Sequence, residues 1–136
     1  MAAFTWPVRV YFEDTDSGGM VYHANHLRYF ERARTEWLRS MGFEQDVLRE
    51  KLGVLFVVHS MNLRYIKPIR FNSLVHVITR LDEHRRASLL LEQAIVSEDN
   101  NQTYCLATAR IACVDANDHS PRALPDALNA EMLHAS

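Results

Sequence analysis

The sequence predicts an α+β domain, in which an antiparallel sheet packs around one long helix, and three observations predict it. Apolar residues alternate over Val8, Val10 and Phe12, then recur at every third or fourth position from Ala24 to Met41, then alternate again in several runs up to Val114. A chain of 136 residues with 48% hydrophobic content suits one compact core. Residues 1–136 therefore read as a single domain, with no repeat, linker or low-complexity segment.

Each element follows from its own pattern. Val8, Val10 and Phe12 alternate with Arg9 and Tyr11, as in a half-buried strand. Leu27, Phe30, Ala33, Arg34, Trp37, Leu38 and Met41 share one face of a helix over 24–41, and Gly42 supplies its C-terminal stop. Glu44 to Leu52 forms a second short helix, ended by Gly53. A long strand then carries Val57, His59, Met61, Leu63 and Tyr65 on one face and Val58, Ser60, Asn62 and Arg64 on the other, stopping near Pro68. Leu74 to Leu81, Ser88 to Val96 and Tyr104 to Val114 make three more strands, joined by polar turns such as SEDNNQ. Ala107 and Ala109, on one face of the last strand, let the sheet approach the helix closely.

Composition excludes several functions. A net charge of −2 does not suit a nucleic-acid binder, which concentrates basic residues on one face. Lys51 and Lys67 are the only lysines, and arginine suits bidentate contact with phosphate or carboxylate. No run approaches the roughly 18 to 20 apolar residues of a membrane span. The start MAAFTWPVRV lacks the apolar stretch of a secretory signal, so the cytoplasm is the expected location. Cys105 and Cys113 fall within one strand without metal-ligand spacing and read as buried thiols.

The chemistry concentrates in EDTDSGGMVYHANH, residues 13–26, where a strand ends and the long helix begins. Gly18 and Gly19 permit an unusual turn or the close approach of a ligand to the backbone, and the first helical turn offers unpaired N–H groups. A thioester or ester carbonyl fits there, because each preorganised donor to its developing oxyanion is worth roughly 3 to 4 kcal/mol. Asp14 reads as a turn or helix-capping partner that accepts local N–H bonds. Asp14, Asp16, His23 and His26 also sketch a metal site, but two histidines three apart with nothing downstream do not complete a recognised ligand set, and no metal is expected. Glu31 reads as an ion-pair partner of Arg34, and His59 as a satisfied core histidine.

The run Tyr11-Phe12-Glu13-Asp14-Thr15-Asp16-Ser17-Gly18-Gly19-Met20-Val21-Tyr22-His23-Ala24-Asn25 resembles the signature of hotdog-fold acyl-CoA thioesterases of the 4-hydroxybenzoyl-CoA thioesterase superfamily. Within it, the chain is most similar to the YbgC-type branch associated with the bacterial Tol-Pal envelope system. The resemblance continues through Tyr29-Phe30-Glu31-Arg32-Ala33-Arg34, Val57-Val58-His59-Ser60-Met61 and Pro121-Arg122-Ala123-Leu124-Pro125, and so covers nearly the whole chain.

The resemblance implies a hotdog fold, homodimers that share active sites and pair into homotetramers, and hydrolysis of an acyl thioester without a cofactor. Coenzyme A, part of the substrate, or acyl carrier protein would present the acyl group. The family's catalytic carboxylate falls on Asp16, as nucleophile or as general base. His23 matches the histidine at the helix entry, orienting the carbonyl or assisting departure of the thiolate, and the oxyanion and turn positions fall on Gly18, Gly19 and Tyr22. Arg85, Arg86 and Ser88 resemble a basic turn that contacts nucleotide phosphates. Ala87 departs from that pattern, which leaves open a shift of the contact to Arg64 or Arg70, or a plain solvated turn. Tyr22, Phe56 and Val57 are expected to line the acyl pocket. A non-catalytic scaffold in the envelope complex, peripheral to the inner membrane, is the alternative class. A hotdog dehydratase is disfavoured because its histidine-phenylalanine-proline-glycine segment is absent.

Overall fold

The computed structural model describes residues 3–135, excepting the side chains of residues 133–135. The chain begins with strand β1 (Phe4–Arg9), makes 3-10 turns at Phe12–Asp14 and His23–Asn25, and enters helix α1 (His26–Ser40). Helix α2 (Gln45–Val47) runs into a π-turn over Leu48–Leu52. Strands β2 (Val54–Tyr65), β3 (Leu74–His84), β4 (Ser88–Ser97) and β5 (Thr103–Asp115) follow, and helix α3 (Asp126–Ala135) completes the described chain. The five strands form one antiparallel sheet in the order β1-β3-β4-β5-β2. The hotdog fold expected from the sequence is present, with α1 packed against the sheet.

Two apolar clusters hold α1 in place. Its first half buries Tyr29, Phe30 and Ala33 against Val75, Val77, Ile95 and Ala107. Its second half buries Trp37 and Leu38 against Leu89, Leu91, Ala109 and Ile111. Each large side chain so buried contributes about 1.5 to 3 kcal/mol. The buried Ala107 and Ala109 stripe faces both clusters, as the sequence predicts. A polar strut joins the layers: Gln93 Nε2 donates to the Phe30 carbonyl (3.1 Å) and to Thr79 Oγ1 (2.9 Å), while its Oε1 accepts from Arg34 Nη1 (3.0 Å). A buried amide with every group partnered fixes register instead of costing stability.

The helix ends as Gly42 foretells. Gly42 takes φ 90°, its N–H donates to Arg39 and the Phe43 N–H donates to Leu38, the paired bonds of a Schellman stop.

Several expectations need correction. The first strand begins earlier and stops at Arg9, because the chain turns at Tyr11, leaving Phe12 79% exposed. Leu27 faces solvent and Tyr29 takes its place in the core. His59 is exposed, not a core histidine: β2 is an edge strand, and a bulge between Val58 and Ser60 breaks its alternation. Helix α3 has no counterpart in the sequence reading. It buries Leu128 and Met132 beside Leu124, a spacing of four that the proline-flanked segment before it obscures.

Candidate active site

The loop between β1 and α1 is fixed by a carboxylate that does no facing of solvent. Asp14 is 6% exposed. Its Oδ2 accepts the Tyr11 N–H (2.8 Å), its Oδ1 accepts Asn25 Nδ2 (3.0 Å), and its carbonyl accepts the Tyr22 N–H (2.9 Å). The local-acceptor reading of Asp14 thus extends to the helix entry, which one residue ties to the strand exit. The Tyr29 hydroxyl lies close enough to Asp14 and Asn25 for both to bias its ionisation, yet makes no hydrogen bond of good geometry. Burial, then Asp14, pushes that phenol well above its usual range.

Two residues on, Asp16 is exposed and held differently. Its Oδ1 accepts the Gly18 N–H (2.8 Å) and, at longer range, the Met20 N–H (3.4 Å). Its N–H donates to the Met20 carbonyl (2.8 Å) and its carbonyl accepts from Gly19 (3.1 Å). This tight turn needs Gly19 at φ 78°, and a Cβ on Gly18 would stand 3.3 Å from Asp16 Oδ1. Among the described residues, Asp16 Oδ2 has no hydrogen-bond partner. One oxygen aims the carboxylate and the other stays available.

The segment after β2 buttresses this loop. Val21 N–H donates to Ile69 (2.8 Å), Phe71 N–H donates to Gly19 (3.0 Å), and Met20 bridges Arg70. Together they enclose a cleft of about 310 Å³ lined by Asp16, Met20, Val21, His23, His26, Tyr65, Ile66, Lys67 and Pro68. The Tyr65 hydroxyl donates to the His23 carbonyl (2.8 Å), and the His23 ring rests against Tyr22 at 4.6 Å between centroids.

Asp16 and His23 thus meet in one cleft, whereas the other named residues divide. The N–H groups of Gly18, Gly19 and Tyr22 are consumed by the turn, so these residues shape the loop. The N–H groups of His23 and Ala24 head the helical turn, where no preceding helical carbonyl reaches them. Phe56 and Val57 line a separate cleft of about 190 Å³ with Glu31, Arg34 and Trp37. Arg34 donates to Gln93 and feels Glu31 only through its charge, so the expected ion pair is not formed. Arg85, Arg86 and Ser88 lie at the β3–β4 hairpin, where Arg85 pairs with Glu83 (3.1 Å) and its N–H donates to the Ser88 carbonyl. Cys105 and Cys113 are free and buried, and burial pushes the Cys105 thiol up to about 11. Among the described residues, no three histidine, cysteine or acidic side chains converge as metal ligands.

Sequence reasoning missed Tyr65 and Lys67 as parts of the cleft, and weighed His26 only as a metal ligand. The signal for the first two was the strand end just before Pro68, which places adjacent side chains at a sheet corner.

The family model of the thioesterase-like superfamily matches residues 10–132. The chain belongs to the thioesterase-like superfamily. A relative from Haemophilus influenzae, the acyl-CoA thioesterase YbgC, is 41% identical over 131 residues, covering 96% of this chain and 95% of its own. The acyl-CoA thioester hydrolase YbgC of Escherichia coli is 43% identical over 128 residues, covering 94% of each. The crystal structure of a probable thioesterase from Bartonella henselae superposes with a TM-score of 0.86 at 33% identity, covering 91% of this chain and all of that one. Among the described residues, no helix of this superfamily member is long and apolar enough to cross a membrane.

Proposed function

We propose that the protein hydrolyses acyl-CoA thioesters at the Asp16 cleft, releasing a carboxylic acid and free coenzyme A. The observation that carries this reading is the Asp16 carboxylate itself, aimed by two backbone N–H groups at one oxygen and open at the other beside a helix start. The acyl-CoA thioesterase activity named for the two YbgC relatives supports the substrate class. With the thioester carbonyl oxygen at the His23 and Ala24 N–H groups, charge developing there meets donors already in place. Asp16 Oδ2 attacks the acyl carbon or draws a proton from water, and the His23 ring assists departure of the thiolate. No cofactor enters this chemistry. Use of a coenzyme A ester supports a cytoplasmic location.

The arginine turn argues for a second copy of the chain. Ser88 pairs with Ala112, which pairs with Val57, whereas the cleft sits at Tyr65. At ~3.3 Å per residue, Val57 and Tyr65 of β2 lie about 26 Å apart. Antiparallel pairing of two β2 edges brings the Arg85, Arg86 and Ser88 turn, with Phe56 and Val57, toward the partner's cleft. The long unpaired edge of β2, with Val57 and Val58 41% and 50% exposed, favours such pairing. The exposed aromatic patch of Tyr11, Phe12 and Phe71 supports the pairing of dimers into a tetramer.

Thiol release from short-chain, aromatic and long-chain acyl-CoA esters tests the reaction. Turnover of at least one class is expected; a wild type inert on all of them, but active on acyl carrier protein thioesters, would move the substrate, and inertness on both would favour the scaffold. Light scattering tests the assembly: a fully active monomer would refute the shared site.

A further inference from the structure

We propose that His26 is a second catalytic group of this cleft, its Nε2 taking the proton of the water that hydrolyses the acyl group. The inference rests on the thioesterase reading of the Asp16 cleft and extends it to the division of labour there.

The geometry fixes the tautomer. His26 Nδ1 lies 3.1 Å from the His23 carbonyl oxygen and 3.3 Å from that of Tyr22. Carbonyl oxygens only accept, so Nδ1 carries the proton and the neutral ring bears its lone pair on Nε2. That nitrogen has no hydrogen-bond partner among the described residues. The ring is clamped as well: it meets Tyr65 at 87° with centroids 4.9 Å apart, and the Tyr65 hydroxyl donates to the same His23 carbonyl. His26 is only 4% exposed, yet it lines the cleft with Asp16 and His23. A fixed, neutral imidazole with one unused lone pair suits proton acceptance better than structural support alone. Desolvation outweighs the two carbonyl contacts, which favour the charged ring, and holds its pKa below the usual 6.5.

A base at His26 leaves Asp16 free to act as nucleophile. Asp16 Oδ2 bonds to the acyl carbon, the carbon–sulfur bond breaks and the thiolate departs, leaving a mixed anhydride. Water then attacks the acyl carbon while Nε2 takes one of its protons; the anhydride bond breaks and the Asp16 carboxylate is restored. The imidazolium passes its proton to the thiolate, giving carboxylic acid, thiol and the starting enzyme.

His26→Asn tests this, because the asparagine amide can occupy the Nδ1 position and still donate to the His23 carbonyl while Nε2 is lost. Its kcat is expected to fall about 100-fold, with KM within about twofold and partial rescue by added imidazole. His26→Gln, which can accept a hydrogen bond but not a proton, should lose kcat likewise. In the wild type, kcat should fall as pH drops below 6.5 through protonation of His26; Asp16, His23, Tyr65 and Lys67 are the titratable groups that face the same cleft. This limb should vanish in His26→Asn. Nitrogen NMR gives a readout besides activity: Nε2 should be unprotonated at pH 7, and an Nε2–H tautomer would overturn the proposal. So would a His26→Asn kcat within threefold of wild type. Activity lost in Asp16→Asn but kept in His26→Asn overturns this inference alone; activity kept in Asp16→Asn and lost in His26→Asn overturns the nucleophile role of Asp16 instead. A wild type inert on every thioester overturns both.

Discussion

The loop from Tyr11 to Asn25 and the hairpin from Arg85 to Ala87 are both short polar connections, but they are held in different ways. The first is tied to itself, to the helix entry and to the segment after β2, through Asp14, Asp16 and the backbone bonds of Val21 and Phe71. The second makes its turn with a bond from Arg85 to Ser88, and the Arg86 and Ala87 carbonyls accept from Leu124 and Cys113, so its backbone is anchored while the Arg85 and Arg86 side chains stay exposed, Arg85 in a surface ion pair with Glu83. Reaction at a carbonyl requires groups fixed to a fraction of an ångström, whereas attraction of a phosphate works at longer range and tolerates a looser frame. The contrast supports the proposed division between a place for chemistry and a place for substrate capture.

Substitutions that leave Asp16 intact can break this comparison. The largest effect is expected from Asp14→Ala, which strands the part-buried Tyr11 N–H and the buried Asn25 amide. Chemical denaturation should show a loss of about 2 to 4 kcal/mol, and kcat should fall by at least about tenfold as the Asp16 turn loosens. An unchanged kcat in a folded Asp14→Ala protein would show that the bonding of this loop is not what aims Asp16. Next is Gly19→Ala, where a side chain at φ 78° costs about 1 to 2 kcal/mol; a melting curve should register it, and kcat should follow.

Effects at the hairpin should be smaller and of another kind. Arg85→Ala with Arg86→Ala should leave stability within about 0.5 kcal/mol, since the Glu83 pair is solvent-exposed. Its KM for acyl-CoA should rise several-fold, more at low salt, with kcat unchanged and little effect on a truncated thioester lacking the nucleotide. Equal effects on both substrates would remove the phosphate assignment.

How much of this was legible in the sequence follows the same division. The strands, α1 and its glycine stop were readable because periodicity and φ requirements are local. The sharing of one cleft by Asp16 and His23 was also readable, from the resemblance around Tyr11 to Asn25. The exposure of His59 was not, since alternation cannot tell an edge strand with a bulge from a central one. Helix α3 hid behind prolines and a weak apolar stripe. Neither the capture of the Gly18, Gly19 and Tyr22 N–H groups by the turn nor the tautomer of His26 is visible before the carbonyls facing them are placed.

The most direct test of the account is the steady-state rate of thiol release by wild type and by a folded Asp16→Asn variant, on whichever acyl-CoA ester the wild type turns over fastest. The account predicts a loss of at least about 100-fold in kcat with the fold intact. A variant that retains most of the wild-type rate would contradict it, and would move the chemistry away from the carboxylate that the loop sets in the cleft.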